Sequence, residues 1–87
     1  MTEDRDIRLR RLGIRSWRRG TREVDLVLGR FWDEAGQALD ASELDLYEDL
    51  LCENDQDLYA WFSGQAEPPD RFICLIARIN AHGTASA

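Results

Sequence analysis

Lysine is absent from these 87 residues: all eleven basic side chains are arginine, and the one histidine, His82, stands near the C-terminus. A single histidine so placed leaves nothing from which to build a Ser/His/Asp nucleophilic site. The two cysteines, Cys52 and Cys74, are far apart and lack C-x-x-C spacing, so a metal site is not expected. Each falls beside apolar residues of a predicted helix, and buried free thiols are the expected state. Glycines do not gather into G-x-G-x-x-G or a P-loop, which removes the usual cradle for phosphates. No apolar run approaches the ~18–20 residues that cross a bilayer. Residues 1–14 hold no apolar stretch of a secretory signal, so no membrane insertion and a cytoplasmic location are expected. Convincing strand alternation is missing throughout.

What the chain does have is charge, unevenly distributed. Residues 1–30 carry nine arginines against five acids, whereas residues 31–70 carry twelve acids and no base. The acidic half would be repelled by phosphates, which argues against nucleic acid as a partner. Such a division suits a docking protein with faces of opposite sign, or equally a solvated acidic surface that keeps a small domain in solution. Arginine offers a planar fork matched to carboxylates.

The apolar residues recur at helical spacing. Length and pattern predict one all-α domain over residues 1–87, a small five-helix bundle with a core from about 5 to 81 and a frayed tail at 83–87. The first helix is expected over Thr2 to Arg18, capped by Thr2, with Ile7, Ile14 and Trp17 on one face and Leu9 and Leu12 to one side. The second, about Arg22 to Ala38, has the cleanest stripe: Val24, Val27, Leu28, Phe31, Ala35 and Leu39, widened by Leu26 and Trp32. Asp40 and Glu43 form a capping-box pattern ahead of a third helix, about Ala41 to Cys52. Asn54 or Asp55 caps a short fourth helix through Leu58 to Phe62, apolar enough to pack on two sides, stopped at Ser63-Gly64. A fifth, about Pro69 to Ala81, is expected to bury Phe72, Ile73, Leu75, Ile76 and Ile79.

The stretch Arg18-Arg19-Gly20-Thr21-Arg22-Glu23-Val24-Asp25 joins the first two helices. Gly20 suits the left-handed backbone after a helix end, and Thr21 the N-cap of the next. Read structurally, its charges complement helix dipoles. Read functionally, Arg and Glu side chains beside Trp17 make a recognition patch, since Trp and Arg are frequent interface anchors. The segment Asp57-Leu58-Tyr59-Ala60-Trp61-Phe62 has the same two readings, a buried helix or an exposed aromatic patch. The carboxylates Glu43, Asp45, Glu48 and Asp49 read as a solvated face ahead of a catalytic pair, and a domain this size has little volume for a deep pocket.

The corner resembles the R-G-x-x-E signature of the SdhE family, bacterial FAD assembly factors related to the mitochondrial succinate dehydrogenase assembly factor. Asp25, two residues after Glu23, fits the pattern, as does Asp57-Leu58-Tyr59-Ala60-Trp61-Phe62 further on; the resemblance covers roughly residues 5–80. It implies a five-helix bundle that is not an enzyme. It also implies a protein partner, the flavoprotein subunit of succinate dehydrogenase and in some bacteria fumarate reductase, on which covalent attachment of FAD is promoted. No cofactor is then held stably by the chain itself, and a monomer is expected when free. The signature places Arg19, Gly20 and Glu23 at the partner site, with Arg18, Arg22, Asp25 and Trp17 as neighbours. The alternative is a non-enzymatic adaptor or antitoxin-type regulator that uses the same corner on another partner.

Overall fold

Five amphipathic stripes and their stop signals give five α-helices among the described residues. The computed structural model describes the backbone of residues 4–85 and the side-chain surroundings of residues 4–82. The helices are α1 (Arg5–Trp17), α2 (Arg22–Ala35), α3 (Ala41–Leu51), α4 (Asp55–Ser63) and α5 (Ile73–Ala85). Short 3₁₀ turns at Gly36–Ala38 and Asp70–Phe72 follow α2 and precede α5, and no strand occurs among the described residues. The expected frayed tail is helical as far as Ala85. Residues 86 and 87, like the expected Thr2 cap, lie outside the described residues.

The helix starts are built by side chains that satisfy unpaired backbone N–H groups. Asp4 caps α1 by accepting from the Asp6 amide at 3.3 Å. Asp40 and Glu43 close a reciprocal capping box on α3, at 2.8 and 2.9 Å. Asn54 accepts from the Asp57 amide at 2.8 Å and starts α4. Gly64 ends α4 with φ +80°.

The core lies along α2. Val24, Leu28, Phe31, Ala35 and Leu39 are buried, as their spacing predicts, and so is Trp32 beside them; Val27 is half-buried, and Leu26 at the stripe's edge is exposed. The buried ones meet Leu44, Tyr47, Leu50 and Leu51 of α3, Leu58 and Trp61 of α4, and Phe72, Leu75, Ile76 and Ile79 near and on α5. One polar pair enters this core: the Ser16 hydroxyl lies 2.6 Å from the Tyr47 hydroxyl and donates to the Leu12 carbonyl at 2.8 Å. Burial, countered in part by Ser16, pushes the Tyr47 phenol pKa up, so it stays a neutral hydroxyl.

Four expectations change. In α1 the buried residues are Leu12 and Ser16, while Ile7, Ile14 and Trp17 are exposed. The helix is rotated because Arg8 and Arg11 reach Glu48 of α3 at 3.1 and 2.9 Å, with Arg15 at 3.8 Å. That contact turns the Leu12 side toward the core. The fourth helix packs on one side only, with Leu58 and Trp61 inward and Tyr59 exposed. Ile73 is exposed, because the 3₁₀ turn before α5 delivers Phe72 to the core and leaves Ile73 outside. Both cysteines are free and exposed: Cys52 caps the end of α3, and Cys74 precedes the buried Leu75 on the outer side of α5.

Candidate functional site

The first corner is organised by Arg19. Its side chain is only 12 % exposed and turns inward. Nε donates to the Asp55 carboxylate at 2.7 Å, and Nη1 to the Leu51 carbonyl at 2.6 Å. Nη2 donates to the Glu53 carbonyl. Those carbonyls lie at the end of α3 and in the turn after it, where backbone acceptors lack helical partners and a cation is favoured. One guanidinium thus stitches the α1–α2 corner to the α3–α4 corner, using the fixed fork that lysine lacks.

Asp55 sits in the first turn of α4 and completes the clamp by accepting from the Thr21 hydroxyl at 2.6 Å. Thr21 therefore stands at the N-cap position of α2 without a side-chain capping bond; its hydroxyl is spent across the corner. Burial alone would raise the Asp55 pKa, but the Thr21 hydroxyl and the Arg19 guanidinium hold it below the usual carboxylate value. Asp25 accepts from the Arg19 backbone N–H at 2.9 Å and fixes the loop from the other side. Gly20 has φ +94° with nothing within 4 Å of the space a Cβ would take, so glycine is needed there for its backbone and not for room.

The clamp leaves Glu23 outside. Its carboxylate is exposed and makes no hydrogen bond or ion pair among the described residues. It lines an open cavity of about 330 Å³ with Thr21, Asp55, Gln56 and Tyr59, a residue 43 % exposed. The two stretches singled out in the sequence, the corner and Asp57–Phe62, thus meet through Glu23 and Tyr59.

The seven sequence-predicted site residues accordingly divide. Arg19, Gly20 and Asp25 build the corner, and Glu23 is presented by it. Arg22 is exposed with no polar partner among the described residues. Trp17 and Arg18 line a different cavity, along α1, which shares no lining residue with that around Glu23. Sequence reasoning missed Asp55 as a corner residue, reading it only as a helix cap. Nothing local in the sequence links it to Arg19, 36 positions away.

Among the described residues no three His, Cys, Asp or Glu side chains gather to hold a metal ion, and no helix is long and apolar enough to cross a membrane. A small helical bundle that locks a charged corner and presents a carboxylate unpaired among the described residues beside an exposed aromatic ring has a surface of the kind docking proteins use. The chain belongs to the family described as flavinator of succinate dehydrogenase, whose model matches residues 10–83. It is 37% identical over 62 residues to the FAD assembly factor SdhE of Legionella pneumophila (strain Lens), covering 71% of this chain and 78% of that one. With the FAD assembly factor SdhE of Pseudomonas savastanoi pv. phaseolicola it shares 42% over 74 residues, 85% and 87% of the two chains. It is also 41% identical over 59 residues to the mitochondrial succinate dehydrogenase assembly factor 2 of Komagataella phaffii, of whose length the match spans 31%. No solved structure matches the chain significantly.

Proposed function

We propose that this protein is an assembly factor that docks on the flavoprotein subunit of succinate dehydrogenase and promotes covalent attachment of FAD to it. The observation that carries this reading is the exposed, unpartnered Glu23 on a corner whose other signature residues are spent on holding it in place. Membership of the flavinator family supplies the partner.

The division of labour follows from the geometry. Arg19, Gly20 and Asp25 act before binding, by fixing the loop so that little conformational entropy is lost on docking. Glu23, Arg22 and Tyr59 act at binding, as an exposed carboxylate, guanidinium and ring that meet the partner's surface. The chain works as a helper and not as an enzyme: its docking holds one arrangement of the flavoprotein in which FAD and the accepting histidine are aligned, converting binding energy into orientation. FAD stays on the partner. Fumarate reductase is a second client by the same surface, the free protein is a monomer, and the work is done in the cytoplasm.

The test uses in-gel flavin fluorescence of the denatured flavoprotein subunit from cells with and without this gene. Covalent flavin is expected to fall at least tenfold in the deletion and to return with wild type but not with Glu23→Arg. Circular dichroism of that variant should match wild type, because Glu23 is exposed and makes no hydrogen bond or ion pair among the described residues. A folded Glu23→Arg protein that restores full flavinylation would remove Glu23 from the docking surface. Unchanged flavin in the deletion would direct the search to the adaptor or antitoxin-type alternative and its own partner.

A further inference from the structure

The two helices that flank the corner exchange tryptophans and glycines. Trp17 is the last residue of α1, two positions before Arg19. Its indole lies over Gly29 of α2, in the space a Cβ there would take, and its N–H donates to the Asp33 carboxylate at 3.3 Å. In the other direction Trp32 of α2 lies against Gly13 of α1, where a Cβ would stand 2.8 Å from Nε1. Gly29 is buried and has ordinary helical backbone, so no turn requires a glycine there. Glycine weakens a helix interior relative to alanine, and what position 29 gains from it is room for the Trp17 ring.

This seat differs from the other holds on the corner in what it joins. Ser16 ties the last turn of α1 to Tyr47 of α3, and Arg19 ties the loop to the end of α3 and the start of α4. Trp17 ties α1 to α2, the helix that carries Glu23. Only residues 18–21 separate the two helices. Gly29 is six residues beyond Glu23, about 9 Å along α2 at 1.5 Å per helical residue. A link of four residues held at both ends has little slack. If the last turn of α1 moves on α2, the loop moves with it, and so does the first turn of α2, where Glu23 stands. Close-packed interiors pass such shifts on and do not absorb them.

We propose that Trp17 is a positioning residue for docking and not a partner contact. Its ring, seated on Gly29 and hooked to Asp33, sets where α1 ends on α2, and so the place from which the corner presents Glu23. The proposal rests on the reading of Glu23 as the docking carboxylate and adds the residue that aims it.

Two measurements on the full chain test it. Hydrogen exchange of the Arg19 amide, which Asp25 holds at 2.9 Å, reports the corner in the free protein. Isothermal titration with the succinate dehydrogenase flavoprotein subunit, loaded with FAD but not yet covalently flavinylated, reports docking. Trp17→Ala and Gly29→Ala should each keep a helical circular dichroism spectrum, exchange the Arg19 amide at least tenfold faster and bind tenfold or more weakly. Because Trp17 acts through Glu23, adding Trp17→Ala to Glu23→Gln should cost less than a further threefold. Trp17→Phe keeps a ring on Gly29 and should bind within threefold of wild type, which decides the matter even where a Cβ at position 29 unfolds the bundle. Equal losses from Trp17→Ala in the wild-type and Glu23→Gln backgrounds are the mark of a direct contact and overturn the proposal. So does an unchanged Arg19 amide in Trp17→Ala. A wild-type protein that does not bind the flavoprotein removes the docking reading itself, whereas binding by wild type that Gly29→Ala matches removes only the role given to Trp17.

Discussion

Arg19 and Glu23 are four residues apart and belong to one signature, but their physics differs. Arg19 makes charge-assisted bonds to one carboxylate and two carbonyls in a mostly buried setting. Arg19→Ala leaves those acceptors without a donor, at a cost of about 1.5–3 kcal/mol per the usual range for hydrogen bonds to charged groups. Glu23→Ala removes an exposed side chain with no hydrogen-bond or ion-pair partner among the described residues and should change stability by less than about 0.5 kcal/mol. Urea denaturation of the two variants checks this, and only Arg19→Ala should move the midpoint. If both variants lose flavinylation in cells, the Arg19 loss is an effect on the corner's shape and the Glu23 loss an effect on contact. Lysine at position 19 should not rescue, since a point charge cannot reach three acceptors in the guanidinium plane.

Within single elements the sequence was legible at the starts of α3 and α4, because caps are local chemistry. Asp40 and Glu43 are three residues apart, and the reciprocal bonds follow from that spacing alone. Asp40→Ala should cost about 1 kcal/mol, typical of losing a cap residue, and lower the thermal midpoint by a few degrees. A thermal melt followed by circular dichroism measures it, and an unchanged midpoint would mean that the α3 start is held by packing. The stripe on α2 was legible because it is periodic: of the residues the period selects, all but the half-buried Val27 are buried. Facing was illegible where two elements compete for one helix. Ile7, Ile14 and Trp17 read as an apolar face of α1, yet Leu12 and Ser16 point inward. The deciding contacts, Arg8 and Arg11 to Glu48, span 40 and 37 positions and leave no periodic trace. Thr21 misled similarly, because a hydroxyl at an N-cap position has a local use, while Asp55 offered a better one from across the corner.

Over the whole molecule, the segregation of charge along the chain is largely undone by folding. The arginines of residues 1–30 do not form a separate positive face opposite a negative one; several are spent on the acidic half, Arg8 on Asp45 and Glu48, Arg11 on Glu48 and Arg19 on Asp55. α1 is thus fastened to α3 by ion pairs as much as by the single buried Leu12. Glu48 takes part in that fastening and Asp55 ties the first corner to α4, and both carboxylates titrate below their ordinary values. Hydrogen bonding to Arg11 holds Glu48 down against its partial burial, with Arg8 adding to it. Thr21 and Arg19 do the same for Asp55, where burial is the largest single influence and opposes them. A carboxylate whose folded pKa lies below its unfolded value of about 4 binds fewer protons in the native state. Its contribution is then complete above about pH 5 and is lost as pH falls from there through the native value. Stability should accordingly hold level from pH 7 to 5 and decline toward pH 3. The double variant E48Q/D55N should be less stable than wild type at pH 7 and should lose less on acidification, so that the two curves converge near pH 3. Urea midpoints measured across this range give the comparison. Parallel curves would mean that these two carboxylates do not set the acid limit, and that protonation elsewhere on the acidic half does.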